Sequence, residues 1–221
     1  MTIHNHWIKD IQPLLKKYKN TPHPLHYENI YQLVVMVVLA AQDSDSKINK
    51  SAPKLFEAYP NMEALSRATP ESLFPYIAGI RNFAHKAKWL VEMAQILKDD
   101  SKIPLSLEAL TVLPGIGRKS ANVILRESGT PPQGVIVDLH VLRVAPRLGI
   151  ASGTDAGKIE KQLMDILPPE AWEAGMAMSF LGREICRPKP KCEICLMKPV
   201  CAYYQNIIRP MSNMARTSGE A

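Results

Sequence analysis

The apolar residues of this chain recur mainly at intervals of three and four positions, the spacing of an amphipathic helix. Near the N-terminus, for example, Trp7, Ile11 and Leu14 fall on one helical face. The apolar run 34–38 is compatible with a buried strand or a buried helix, but the length of the segment around it and the lack of a nearby partner strand favour a helix. The pattern predicts helices at about 3–19, 26–41, 45–58, 61–67, 70–77, 82–98, 106–112, 118–128, 139–149, 155–167 and 169–185, and therefore an all-α protein.

Residues typical of helix ends separate these predicted helices. The Thr-Pro-His-Pro segment at residues 21–24 ends the first one. Thr154 and Asp155 are typical of an N-cap and first turn, and Pro169 suits the first turn of the last helix. Residues 211–221 are mostly small and polar, so we expect a disordered tail.

The composition is that of a soluble globular protein. Of the 221 residues, 46% are hydrophobic and 22% charged, which excludes wholesale disorder. The longest apolar run, residues 33–41, is too short to cross a bilayer, and no secretory signal opens the chain, so we expect a cytoplasmic protein without a membrane partner. Lys and Arg number 27 against 21 Asp and Glu, and this net charge of +6 permits a polyanionic partner without proving one.

All four cysteines lie within sixteen residues, and the first 185 residues contain none. A secreted disulfide scaffold would spread its cysteines, so this clustering indicates a metal or iron–sulfur site in a reducing compartment. The x5, x2 and x5 spacing contains one Cys-x-x-Cys pair, whereas zinc sites more often use two, which favours a [4Fe–4S] cluster and leaves zinc open. The candidate ligands are Cys186, Cys192, Cys195 and Cys201.

Residues 110–121 predict two helices joined by a tight turn. They are not a P-loop, because Arg118 separates Gly117 from Lys119, and they lack the third glycine and preceding strand of a dinucleotide-binding fingerprint. We expect Gly115 and Gly117 to adopt positive φ, which would turn successive N–H groups outward at the start of the second helix. Such a turn binds anions such as a DNA phosphate; the alternative is a simple packing corner.

Two ionisable residues near this turn are candidates for chemistry. Lys119 is predicted to share a polar helix face with Asn122 and Arg126, at a positive helix N-terminus. An amine acts as a nucleophile only when it is neutral, so the alternative for Lys119 is an ordinary solvated lysine. Asp138 precedes a predicted helix, where its carboxylate would accept backbone N–H bonds; capping alone is the alternative.

The string Leu-Pro-Gly-Ile-Gly-Arg-Lys-Ser-Ala at residues 113–121 resembles the helix-hairpin-helix of DNA glycosylases, specifically of the endonuclease III family. The resemblance extends from about Tyr27 to Cys201. It implies that Lys119 is a nucleophile, that Asp138 of the Val-Asp-x-His segment is its catalytic partner, and that the four cysteines ligate a [4Fe–4S] cluster.

The resemblance also implies a domain organisation of two helical lobes with a DNA cleft between them. A helical barrel ending in the hairpin would comprise residues 25–134. The second lobe would combine residues 1–24 with 135–210 and hold the cluster.

Further residues are expected to contact DNA. Gln42 would enter the gap left by a flipped base, or is simply a polar residue at a helix end, and Ile80 lies in the counterpart of the family's wedge loop. The basic residues between the first two cysteines suit DNA phosphates, with an ordinary solvated surface as the alternative. The expected contacts are Gly115, Ile116, Gly117, Arg118, Gln42, Ile80, His140, Arg187, Lys189 and Lys191.

The chain departs from the family pattern where substrate choice is made. Asp43 stands where the family usually has Ala or Thr, and we expect it to place an extra carboxylate near the DNA. Leu139 replaces a Thr, the loop at 79–87 is about two residues longer, and the first cysteine spacing is x5 instead of x6.

The resemblance therefore implies a bifunctional DNA glycosylase and AP lyase that removes oxidised pyrimidines from damaged duplex DNA, working as a monomer on the nucleoid. A glycosylase with another lesion preference is one alternative. A non-catalytic DNA-binding module with a structural metal site is another.

Overall fold

The computed structural model of the protein describes residues 5–210, and every regular element in that range is helical, as predicted. No helix within it has the length and apolar character needed to span a bilayer. The chain divides into two compact units: the hairpin unit, Pro22–Gln133, and the cysteine unit, made of the described residues on either side of it. The α-helices are α1 (Asn5–Asp10), α2 (Gln12–Tyr18), α3 (Ile30–Ala40), α4 (Asp45–Ala58), α5 (Met62–Ser66), α6 (Pro70–Ile77), α7 (Phe83–Leu97), α8 (Leu107–Thr111), α9 (Arg118–Glu127), α10 (Val141–Leu148), α11 (Ala156–Ile166) and α12 (Ala174–Glu184). Short 3-10 turns lie at Asp100–Lys102, Pro169–Ala171 and Cys192–Ile194, and a π-helical turn at Tyr204–Ile208.

The hairpin unit is built around α3, whose residues 33–39 are each at most 4% exposed. This confirms the helical interpretation of the apolar run, because a helix that is apolar on all sides is stable when it is surrounded, here by α4, α7 and α9. The helix begins at Ile30 and not near residue 26. Its first turn is capped by Asn29, whose side-chain oxygen accepts the Gln32 amide hydrogen with an N···O distance of 2.9 Å.

In the cysteine unit, α2 and α10 pack against α12. The single helix predicted near the N-terminus is two helices, because Pro13 in the first turn of α2 lacks the N–H that a continuous helix would use, and the chain turns at the buried Ile11. Pro169 begins a 3-10 turn, and α12 starts only at Ala174. The other predicted helices end within about two residues of the observed ones, and the predicted tail at 211–221 lies outside the described residues.

Two glycines of α12 let the chain around α10 lie directly against this helix. A Cβ at Gly175 would be 2.5 Å from the carbonyl oxygen of Ile136, and a Cβ at Gly182 would be 2.7 Å from the Cβ of His140. Both distances are far below van der Waals contact, so a larger residue would force the chain to move. The two contacts fix the backbone on either side of Asp138.

Candidate functional site

The predicted hairpin is present: α8 and α9 are joined by a short turn at residues 112–117. Gly115 has φ of 81°, and a Cβ there would lie 3.0 Å from Val38 and 3.1 Å from Trp89, so both the backbone conformation and the packing require glycine. The positive φ expected for Gly117 was wrong. Gly117 has φ of −93° and ψ of 174° because it is the N-cap residue of α9, and N-cap residues are extended.

The first turn of α9 presents Arg118 and Lys119 to solvent. Gly117 brings no side chain to cap the amides of this turn, and within residues 5–210 a Cβ at Gly117 would meet no atom within 4 Å. The side chain of Ile116 is buried, so only the main chain of this residue could contact DNA. Asn122, predicted to share the polar face of Lys119, is buried at 4% exposure, so this face passes from solvent into the protein within one helical turn.

A group of ionisable side chains near Lys119 was missed by the sequence analysis, which took the Thr-Pro-His-Pro segment only as a break. Burial lowers the pKa of His23 to about 4; the Glu127 carboxylate opposes this shift, while Lys119 and Arg126 add to it. The Tyr27 hydroxyl donates to Glu127, which also pairs with Arg126. His23 is therefore neutral at pH 7 and adds no positive charge to the surroundings of Lys119.

Asp138 lies two residues before His140, the N-cap residue of α10, and its carboxylate accepts backbone N–H bonds at the start of this helix, as predicted. The amides of His140 and Val141 both donate to Asp138 Oδ1 at 2.9 Å. The second carboxylate oxygen is also held: the Ser179 hydroxyl donates to Oδ2 at 2.6 Å, and the guanidinium of Arg183 lies 3.7 Å from it. The side chain is 13% exposed, so its orientation is fixed while one edge remains accessible.

Ser179 and Arg183 are positioning residues that the sequence analysis also missed. They lie four positions apart in the largely buried α12, and Arg183 Nε is 3.4 Å from the Ser179 hydroxyl oxygen. A polar pair at this helical spacing in an otherwise apolar segment was the available signal.

The segment after α3 and the loop before α7 differ from expectation in two ways. Gln42 is exposed, with φ of 59°, but Ile80 is only 2% exposed. The Ile80 side chain packs into the core of the hairpin unit, so the predicted contact with DNA, which stays a prediction, would use the Ile80 main chain. Arg81 is the exposed neighbour.

The Asp43 carboxylate, which the sequence predicts near the DNA, is turned toward the protein. The side chain is 7% exposed; Oδ2 accepts the Arg81 amide hydrogen at 2.7 Å and Oδ1 accepts the Ser44 amide hydrogen at 2.8 Å. Burial alone would raise the pKa of Asp43, but these hydrogen bonds and Lys47 outweigh it and lower the pKa to about 2. Asp43 is thus a carboxylate at neutral pH, fully engaged by protein donors.

The four cysteines line one cavity of the cysteine unit. Burial and the neighbouring cysteines raise the pKa values of Cys192, Cys195 and Cys201, so binding of a cationic group would relieve repulsion among their thiolates. Backbone amides also donate to the sulfur atoms of Cys195 and Cys201, a contact typical of metal-bound thiolates.

The donor set fits a [4Fe–4S] cluster. Four cysteines around one cavity supply the thiolates that such a cluster requires. A tetrahedral zinc ion would use the same four donors, at about 2.3 Å from the metal.

The shortened first cysteine loop is ordered by two arginines one turn apart on α10. Arg143 Nε donates to the carbonyl oxygen of Cys186 at 2.9 Å. Arg147 donates to the carbonyl oxygens of Arg187 at 2.7 Å and Pro188 at 3.1 Å. The helix that follows Asp138 therefore holds the first cysteine loop at two points along its length.

The remaining predicted contacts lie at the surface of the cysteine unit. The basic side chains of the first cysteine loop are exposed: Arg187, Lys189 and Lys191. Exposure is expected both for a phosphate-binding surface and for an ordinary solvated one. Leu139 is exposed and directly follows the partly buried Asp138. His140 is half-buried, with Nδ1 3.2 Å from a guanidinium nitrogen of Arg143.

Comparison with known sequences gives consistent matches. A family model described as "HhH-GPD superfamily base excision DNA repair protein" matches residues 35–169. Endonuclease III of Rickettsia prowazekii is 39% identical over 196 residues, covering 85% of this chain and 92% of the relative. Endonuclease III of Escherichia coli is 30% identical over 206 residues, covering 90% and 97%.

Comparison with solved structures gives the same result. A trapped endonuclease III–DNA covalent intermediate superposes with a TM-score of 0.84 at 31% identity, covering 95% of this chain and all of that one. A non-covalent endonuclease III–DNA complex gives a TM-score of 0.83 at 31% identity, with the same coverage.

Proposed function

The chain belongs to the endonuclease III family of helix-hairpin-helix base excision repair proteins, and on this premise we propose that it is a bifunctional DNA glycosylase and AP lyase. Its proposed substrates are oxidised pyrimidines and abasic sites in duplex DNA. One observation supports catalysis over mere DNA binding: both oxygens of Asp138 are held. A capping carboxylate needs only Oδ1, so the bond from Ser179 and the approach of Arg183 orient the group beyond what capping requires.

In the proposed reaction, the neutral amine of Lys119 attacks C1′ of a nucleotide flipped out of the duplex. The N-glycosidic bond breaks as the C–N bond to Lys119 forms, and the damaged base leaves with the bonding electrons and takes up a proton. The Asp138 carboxylate stabilises the positive charge that develops on the sugar and assists proton transfer. The Schiff base formed by Lys119 then permits β-elimination, which nicks the strand on the 3′ side of the lesion. A glycosylase without this lysine would stop at base removal.

We propose that three surfaces bind the DNA. The amides of the hairpin, at residues 115–118, bind a phosphate at the N-terminus of α9. Gln42 and the exposed loop residue Arg81 approach the damaged site. The basic residues of the first cysteine loop add sequence-independent phosphate contacts.

The group that the cysteines would hold is a [4Fe–4S] cluster, and its proposed role here is to order the basic loop. Cys186, Cys192, Cys195 and Cys201 would ligate it through their thiolates. Arg143 and Arg147 already bind the carbonyl oxygens of this loop, and the cluster would fix its far end.

Borohydride trapping tests the proposed function. The wild-type protein should form a covalent complex with a duplex that contains an abasic site or an oxidised pyrimidine. Lys119→Gln should abolish trapping and nicking but keep non-covalent binding, because the proposed phosphate contacts are backbone amides. Lys161→Gln, which changes an exposed lysine of α11, is the matched control and should behave like wild type.

Three outcomes would contradict parts of the proposal. If Lys119→Gln still traps, another amine is the nucleophile. If the wild type traps only on lesions other than oxidised pyrimidines, the lesion class is wrong. If it traps on no substrate, the chain is the non-catalytic DNA-binding module.

A further inference from the structure

Two turns of the hairpin unit share an unusual backbone feature. Gln42, between α3 and α4, has φ of 59°, and Asn82, directly before α7, has φ of 56°. Neither residue is a glycine, and both are exposed. Left-handed backbone costs free energy in residues with a Cβ, and it persists only where surrounding contacts fix it.

The Asp43 side chain joins these turns. Asp43 follows Gln42 directly, and its Oδ2 accepts the amide hydrogen of Arg81, the residue before Asn82, at 2.7 Å. Its Oδ1 accepts the Ser44 amide hydrogen at 2.8 Å. The 7% exposure of the Asp43 side chain leaves little room for water to compete for these bonds.

A second bond runs in the opposite direction between the same segments. Lys86 in α7 is 2% exposed, and its Nζ donates to the carbonyl oxygen of Leu39 at 2.7 Å, near the end of α3. A cation at a helix C-terminus is favourable, because the last carbonyl groups carry partial negative charge. The two bonds therefore tie the end of α3 and the start of α7 together on both sides of Gln42.

Capping does not explain Asp43. The N-cap of α4 is Ser44, whose side chain accepts the Lys47 amide hydrogen. The contact to Arg81 spans 38 positions of sequence and is specific to the junction of the two turns.

We propose that Asp43 is a positioning residue that holds the Gln42 turn and the Arg81 loop in one fixed arrangement for entry into damaged DNA. This inference rests on the proposed function. The carboxylate itself does not reach the DNA; it acts through the backbone of the two segments that do. Pre-ordering both turns reduces the conformational entropy lost when they bind in the gap beside a flipped nucleotide.

The direct test compares the affinity of Asp43→Ala for two duplexes, one undamaged and one with a stable tetrahydrofuran abasic analogue. Loss of the Asp43 bonds should weaken binding of the abasic duplex by about tenfold, the order expected for hydrogen bonds to a charged group. Binding of the undamaged duplex, which relies on phosphate contacts, should change by less than about twofold. Asp43→Asn should be intermediate, because only one of its side-chain atoms accepts hydrogen bonds well.

Kinetics separate positioning from a general structural loss. With natural abasic duplex in single-turnover reactions, Asp43→Ala should need more enzyme to reach half-maximal rate, while the maximal rate stays near the wild-type value. Asp155→Ala, which removes the carboxylate that caps α11 in the cysteine unit, is the control for loss of an acidic cap and should leave both quantities unchanged.

NMR tests the hydrogen bond between the Asp43 carboxylate and the Arg81 amide in the absence of DNA. The amide proton of Arg81 should shift upfield in Asp43→Ala, because it loses its carboxylate acceptor, and it should stay in place in Asp155→Ala. Equal affinity of Asp43→Ala and wild type for the abasic duplex, equal loss on both duplexes, or an unshifted Arg81 amide would each overturn the inference. A wild type that neither binds nor nicks abasic duplex would instead refute the proposed function, whatever the Arg81 amide shows.

Discussion

Replacing Gly175 with alanine tests whether α12 positions Asp138. The new Cβ would lie 2.5 Å from the carbonyl oxygen of Ile136 and 2.8 Å from its amide nitrogen. Both neighbours are backbone atoms, so the clash cannot be relieved by rotating a side chain. The chain must move away from α12, and Asp138, two residues beyond Ile136, must move with it.

The magnitude follows from comparison with a second glycine. Gly157 is the second residue of α11, as Gly175 is of α12, and both helices have eleven residues. A Cβ at Gly157 meets only the Asp155 carboxylate, at an ordinary 3.5 Å. Both substitutions raise the free energy of unfolding by about 0.4–1 kcal/mol, because alanine reduces the entropy of the unfolded chain. Overpacking lowers it by about 1–3 kcal/mol in Gly175→Ala alone. The difference between the two variants isolates the cost of the clash.

Thermal unfolding and nicking of an abasic duplex measure the two consequences. Gly157→Ala should unfold slightly above wild type, and Gly175→Ala should unfold lower than Gly157→Ala by about 2–4 °C for each kcal/mol of clash. At a temperature where both variants are folded, Gly175→Ala should nick at least about tenfold more slowly, because displacing a catalytic group by about 1 Å can cost a hundredfold.

Two results would refute this reasoning. Equal unfolding temperatures for the two variants would mean that α12 accommodates the Cβ without strain. A destabilised Gly175→Ala with full activity would mean that the packing of α12 against Ile136 does not control the position of Asp138.

Other predictions address the remaining parts of the site. Asp138→Asn should fold normally, since Asn also caps helices. It should remove bases at least about 100-fold more slowly, because a neutral amide cannot stabilise oxocarbenium charge. A wild-type rate of base removal would mean that Asp138 only caps the helix. Natively purified protein should be yellow-brown with about four irons per chain, and stoichiometric zinc without iron would contradict the cluster assignment. With about three to five phosphate contacts from the hairpin, Lys189 and Lys191, the log–log dependence of undamaged-duplex affinity on salt should have a slope of about −3 to −4.5; a slope near zero would exclude phosphate binding.

The features that the sequence predicted correctly are those set by short-range rules. The hairpin is recognisable because the turn needs a glycine at position 115, where φ is 81°. The cap at Asp138 is recognisable because the donating amides lie two and three residues further on. The helical α3 follows from its length and apolar character, although its first residue depends on the Asn29 cap.

The features that the sequence analysis missed or misjudged depend on contacts between distant segments. Ser179 lies 41 positions from Asp138, and Arg81 lies 38 positions from Asp43. Nothing in the local pattern indicates that Asp43 turns inward. Ile80 illustrates the same limit, because an isolated apolar loop residue can equally well face solvent or the core, and its direction is decided by the packing of the whole unit.

The way in which Arg147 holds the first cysteine loop has an evolutionary consequence. Its two strongest contacts are to carbonyl oxygens, which every residue type supplies, and not to side chains. Side chains at positions 187 and 188 can therefore change without weakening the hydrogen bonds from Arg147 to the loop. Selection can adjust the charge that this loop presents to DNA while the anchor beneath it, and the cysteine positions that follow, stay in place.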